Sequence, residues 1–209
     1  MKTSANVSPD MVLTGWRTWI AKRISDLLSP PILTGGLAVL FTRLATPTWT
    51  LAFIWSALYV VLADLLPLAY LIRLLRKGIV SDLHLGIRAE RIRPLLVTMI
   101  CLAAAFAGAL LLQAPRTLLV FLGLSLIQGL ILTAVTTIWQ ISFHAAAATA
   151  LIAASGVIYG AIAALVLIPI LIVVGWSRMH LRRHTFRQIA AGAIIAGTLF
   201  GPVLAQTLP

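Results

Sequence analysis

Three short stretches hold most of the side chains in this sequence that can do chemistry. They read SDLHLGIRAERIRP (residues 81 to 94), ISFH (141 to 144) and SRMHLRRHTFRQ (177 to 188). Arginine forks onto phosphate oxygens through paired N–H donors, one imidazole can attack phosphorus, and another can protonate the departing oxygen. His144, a histidine at a membrane boundary with Ser142 ahead of it and two arginine-bearing stretches facing it, therefore has the surroundings that phosphoryl transfer to a protein nucleophile requires. A metal centre is not expected. His180 and His184 have i, i+4 spacing, but no third ligand is near and no Glu lies between them as in a zinc protease helix. His84 and His180 read as interfacial side chains, and Arg182, Arg183 and Arg187 as residues that set topology and touch anionic headgroups.

The elements that must position these clusters are membrane helices. With 61% hydrophobic and 10% charged residues and a mean hydropathy of +1.05, the chain is too apolar to solvate its own surface as a globular protein. Apolar stretches near the roughly 20 residues needed to cross a bilayer recur along it, so a cleavable leader does not account for them. The expected helices run at about 32–46, 49–74, 95–113, 117–139, 143–156, 158–176 and 188–206. Threaded alternately across a bilayer, fourteen of the sixteen Lys and Arg residues fall on one side, leaving Arg43 and Arg116 on the other. The positive-inside rule makes the basic side cytoplasmic, and all three clusters lie on it. The net charge of +11 is thus assigned to topology and headgroups, and no nucleic-acid partner is expected. Cys101 is the single cysteine, so no intrachain disulfide can form.

Ahead of these spans, Met11 to Leu28 reads as an amphipathic interfacial helix. Its apolar face carries Val12, Trp16, Trp19, Ile20, Ile24, Leu27 and Leu28, its wet face Arg17, Lys22, Ser25 and Asp26, and Pro30-Pro31 stops it. The expected organisation is a tail and interfacial helix over residues 1–30 and one transmembrane domain over 31–209. GVIYG and GTLFG place Gly156 with Gly160, and Gly197 with Gly201, at small-xxx-small spacing for close helix approach. Asp64 is the one acidic residue well inside an apolar run, where a carboxyl is costly and points to function or to a partner on a neighbouring helix.

In order and spacing the clusters resemble the type 2 phosphatidic acid phosphatase family, whose pattern is Lys-x6-Arg-Pro, Pro-Ser-Gly-His and Ser-Arg-x5-His-x3-Asp. The third element matches at Ser177, Arg178 and His184, with Gln188 at the acidic position; the second matches at Ser142 and His144, with Ile141 and Phe143 replacing Pro and Gly. In the first, Arg93-Pro94 matches and Gly86 stands where the family has lysine. The resemblance covers roughly 81–201 and implies metal-independent hydrolysis of a lipid phosphate or diphosphate, with no cofactor. His184 would be the nucleophile and His144 the general acid, while Arg93, Arg178, Ser142 and Ser177 would hold the phosphate. Gln188 would orient His184 as an acceptor without stabilising its charged form, a loss worth roughly 10⁴-fold in the analogous serine-protease arrangement. Asp82 or Glu90 can restore the carboxylate if either folds over His184, and Arg88 or Arg91 can replace the missing lysine charge.

The expected fold is all-α: a polytopic bundle of six or seven membrane helices after the interfacial helix, located in the plasma membrane with its site on the cytoplasmic side. Its expected partners are membrane lipids and a lipid phosphate substrate, with a homo-oligomer or membership of a larger membrane complex also compatible. Two alternatives accompany it: a non-catalytic descendant serving as a subunit or lipid-binding scaffold, and a transporter, for which the sequence offers no obvious polar pathway.

Overall fold

The computed structural model describes residues 15–83 and 85–208. Lys2, one of the fourteen basic residues of the expected cytoplasmic side, and Met11, Val12 and His84 lie outside them. In chain order the elements are α1 (Trp16–Leu27), α2 (Pro30–Ala45), α3 (Trp49–Tyr59), a π-helical segment (Val60–Leu65), α4 (Leu66–Arg76), α5 (Arg88–Leu111), α6 (Arg116–Ile138), α7 (Phe143–Tyr159), α8 (Ala161–His180) and α9 (Phe186–Thr207). No strand occurs among the described residues. Six segments are long and apolar enough to cross a membrane; α1 and α2 together count as one of these, and α7 is a shorter apolar helix. The chain is an integral membrane protein built as an all-α polytopic bundle.

The helix boundaries follow local chemistry. Pro30 and Pro31 end α1 and also begin α2, where a missing N–H leaves no bond unmade. Thr48, Ser142 and Thr185 cap α3, α7 and α9 by accepting from the amides of Leu51, Ala145 and Gln188. Helix α5 starts at Arg88 rather than at 95, with Pro94 inside it. Proline removes one bond to the carbonyl four residues back without ending the helix, because this first stretch lies at the wet end of the span. α3, the π segment and α4 form a single rod from Trp49 to Arg76, in which the π segment holds Asp64 and Pro67 follows in the first turn of α4.

The bundle is organised around α7, which packs most extensively on α9 and α8. Its buried side is almost all alanine: Ala145, Ala146, Ala147, Ala148, Ala150 and Ala154. Small side chains let backbones approach, and in a membrane close packing replaces the hydrophobic drive available in water. Larger side chains fill the other half, where Phe41 stacks on Phe121 at 5.0 Å and Tyr59 tilts against the same ring at 5.2 Å.

The two glycine pairs behave differently from expectation. Gly156 does mark a close approach, since a Cβ there would stand 3.0 Å from Ala164 Cβ. Gly160 is instead the one-residue joint between α7 and α8, with φ +88°, a conformation that only glycine adopts cheaply. Gly201 meets nothing within 4 Å and packs against no helix. The tightest approach involves Gly192, where a Cβ would lie 2.5 Å from the Ser142 carbonyl oxygen. Gly192→Ala should therefore force α9 away from the start of α7 and destabilise the fold by about 1–3 kcal/mol. Gly201→Ala should be neutral; thermal unfolding of the two variants in detergent checks the contrast.

Candidate functional site

The last turn of α8 determines where the third cluster goes. Its helix ends in a paired reverse bond: Arg182 N–H reaches the Met179 carbonyl at 2.9 Å and Arg183 N–H reaches the Arg178 carbonyl at 3.0 Å. This terminus requires a left-handed residue after the cap, and Arg182 provides it at φ +53°. The turn folds Arg183 and His184 back against the helix they have just left. Arg182 and Arg187 remain exposed, whereas Arg183 is 7% exposed and bonds to Asp82 at 3.2 Å. Arg183 is thus a buried ion-pair partner rather than a headgroup contact, because the turn directs it inward.

Across from this turn lies Gly86, at the position where the resemblance expects lysine. A Cβ on Gly86 would run into the Arg183 guanidinium, and Asp82 Oδ2 accepts from the Gly86 amide at 3.1 Å. The positive charge missing from position 86 is delivered there by another segment. Helix α5 adds a second one. With the helix starting at Arg88, a stripe of Arg91, Pro94, Leu95, Thr98, Met99 and Leu102 faces a single cavity. Arg91 is 6% exposed and donates to the Leu85 carbonyl at 2.6 Å. Arg88 and Arg93 are exposed, and Arg88 caps α6 by donating to the Thr137 carbonyl at 2.8 Å. Of the three arginines in this stretch, the structure brings Arg91 to the site and leaves Arg93, the motif match, outside.

The cavity has a volume of about 890 Å³ and reaches Arg91, His144, Phe143, Arg178 and His184 at one end. Its wall over the rest of its length is mainly Leu, Pro and Met from α2, α4, α5 and α6. The three clusters, far apart in sequence, thus converge on one chamber with a basic end and an apolar body.

Helix α1 closes the basic end with a small-residue face that includes Ser25, which the amphipathic reading assigns to water. Thr18, Ala21 and Ser25 are buried, while Trp16 and Trp19 are exposed. Ser25 Oγ accepts from Arg178 Nη1 at 2.6 Å, and the Ser25 carbonyl accepts from His144 Nε2 at 3.2 Å. Ser177 Oγ donates to the Ala21 carbonyl at 2.7 Å, and Thr18 pairs with His180 at 3.2 Å. His180, expected to be interfacial, is therefore part of the α1–α8 joint, stacked on Trp176 at 5.3 Å. Ser177 likewise secures α1 to α8, and Ser142 spends its hydroxyl on capping α7. Ser25 is the residue that sequence reasoning missed. The small-residue stripe at 18, 21 and 25 was the available signal.

The carboxylate question resolves by geometry. Glu90 Oε2 accepts from Ser81 N and Oγ, both at 2.8 Å, and Asp82 pairs with Arg183. Gln188 closes a capping box: its Oε1 accepts from Thr185 N–H at 2.9 Å, and Thr185 Oγ1 accepts from Gln188 N–H at 3.4 Å. The Gln188 side chain lies near enough to favour a protonated His184 slightly, yet it makes no bond with Nδ1, which is buried without a hydrogen-bond partner. The expected Gln188-to-Nδ1 orientation is not made, because the start of α9 uses the amide.

Burial, then the positive charges of Arg178 and Arg91, push the His184 pKa down from 6.5 to about 3. At neutral pH the ring is uncharged and its nitrogen lone pair is available, as a nucleophile requires. The sign of the linked effect on stability follows. Between about pH 6.5 and 3 the unfolded chain binds a proton on His184 that the folded chain refuses, so stability falls as pH drops through that window. Thermal unfolding from pH 7 to pH 5 should show this decline, and His184→Leu should flatten it by up to about 1.4 kcal/mol per pH unit. Equal slopes in the two proteins would exclude a buried, neutral His184.

Compared with known proteins, the chain matches no family model, no curated protein and no solved structure.

Proposed function

We propose that this protein hydrolyses a lipid phosphate or diphosphate through a phosphohistidine on His184, in the manner of the type 2 phosphatidic acid phosphatases. One observation carries this reading: His184, His144, Arg178 and Arg91 share the end of a cavity whose remaining walls are mainly apolar. An amphiphile fits such a chamber, its phosphate among the guanidinium groups and its tail among the leucines. The uncharged His184 ring attacks phosphorus as the bond to the leaving oxygen breaks. His144 enters this step as the imidazolium: its Nε2–H stays on the Ser25 carbonyl while its other ring proton passes to that oxygen, and the ring takes a proton back from water in the second step. Arg178 and Arg91, with Arg183 behind them, neutralise the charge that builds on the equatorial oxygens. Water then attacks the phosphohistidine and releases phosphate. The strong basic bias of one end supports a cytoplasmic-facing site. Phosphatidic acid, phosphatidylglycerol phosphate and polyprenyl diphosphates all have the required form.

A second reading, a non-catalytic phosphatase-like subunit or lipid-binding scaffold, is favoured by the bond between Gln188 and Thr185, which leaves His184 Nδ1 without an orienting carboxylate. Phosphate release from those lipids by the purified protein, without added metal, separates the two. The expected result is turnover abolished by His184→Ala and lowered roughly 10²- to 10⁴-fold by His144→Ala. No release by the wild type, and none after Gln188→Asp, would establish the scaffold.

A further inference from the structure

Part of the cavity lies away from the phosphate end and is not apolar. Asp64, Ser125 and Gln128 all line it, at 9%, 9% and 8% exposure, and Asp64 Oδ2, Ser125 Oγ and Gln128 Oε1 have no hydrogen-bond partner. Asp64 Oδ1 does have one, the Thr34 hydroxyl at 3.3 Å, and Tyr59 lies beside Thr34, Ser125 and Asp64. Ser125 and Gln128 are three apart on α6 and so share one face. Asp64 comes from the π-helical segment, a widening of the helix that recurs at functional sites and here turns a carboxyl into the bundle.

Buried polar atoms in a membrane protein are expensive to leave unpaired, and a packed bundle would replace them with leucine at no loss. Two of the three orphans, the carboxyl and amide oxygens, are acceptors, and the third is a hydroxyl. A hydroxyl group from a ligand complements this set, donating to an oxygen while accepting from Ser125. The distance from the phosphate end is bounded by the chain. Ser25 touches Arg178 and His144, Thr34 touches Asp64, and nine residues across the α1–α2 break separate them. At 1.5 Å per helical residue and about 3.5 Å per residue across the extended break, the backbone separation is at most on the order of 18 Å.

We infer that Asp64, Gln128 and Ser125 form a second polar subsite that recognises a hydroxyl group part-way down the tail of the bound lipid. Building on the lipid-phosphate reading, this narrows the substrate class to hydroxylated amphiphilic phosphates, as against lipids whose tails are wholly hydrocarbon. Specificity of this kind is strong because a ligand lacking the group leaves the buried acceptors unmet.

The test is a native mass spectrometry titration of the detergent-solubilised protein with hexadecyl phosphate, a positional series of hydroxyhexadecyl phosphates, and the matching diols without phosphate. The wild type should bind one hydroxylated isomer about tenfold tighter than hexadecyl phosphate. Asp64→Ala and, independently, Gln128→Leu should erase that preference while keeping the affinity for hexadecyl phosphate, which also shows that each variant is folded. Equal binding of all the phosphates by wild type and variants would overturn the subsite and leave the phosphate reading intact. Binding of a diol in a manner that depends on Asp64, with no phosphate bound, would uphold the subsite and remove the phosphate reading. Failure of every ligand to bind would overturn both.

Discussion

A guanidinium buried in a membrane bundle has to be met by oxygen, and the need to satisfy Arg178 arranges the whole basic end of this protein. Arg178 is 1% exposed, the largest fully buried side chain among the described residues. Its partner Ser25 arrives on a helix that would otherwise lie at the membrane surface. Once α1 is drawn in, Ala21 and Thr18 fall against Ser177 and His180, and the Ser25 carbonyl fixes which nitrogen of His144 carries a proton. The reverse turn after α8 uses the Arg178 carbonyl as its acceptor for both Arg183 and His184. One residue thus anchors α1 through its side chain and His184 through its backbone.

Much of the fold was legible in the sequence because membrane solvation is a coarse filter. Long apolar runs, broken by basic residues and Pro-Pro, can form little else than spanning helices, and the boundaries of α6, α8 and α9 lie close to those read from hydropathy. Helix phase was harder. Placing the start of α5 at 95 left Arg88, Arg91 and Arg93 in a loop without a face; moving it to Arg88 selects Arg91. Proline misled here, since its cost at the wet end of a span is one bond rather than a helix.

The site was legible where its residues lie within one turn or cap, as with Arg178 and His184. It was not legible where the decisive contact crosses the chain. Ser25 meets Arg178 over 153 positions and His144 over 119, and a serine beside Asp26 and one turn from Lys22 reads as solvent-facing. Arg183 is a similar case: nothing in a row of basic residues reveals that a left-handed Arg182 turns only one of them inward. Gln188 was placed correctly near His184 and wrongly oriented, because a capping box competes for the same amide.

The separation between Ser25 and its partners also bears on biosynthesis. Helix α1 leaves the ribosome long before α8 exists, so for most of translation its small-residue face has nothing to seat against. It must wait at the bilayer surface, held there by Trp16 and Trp19, whose rings carry the neighbouring Arg17 and Arg23 at 5.4 Å. The basic chamber is consequently sealed by an earlier-made segment acting on a later one, and an incompletely inserted protein presents no finished pocket to the lipids around it.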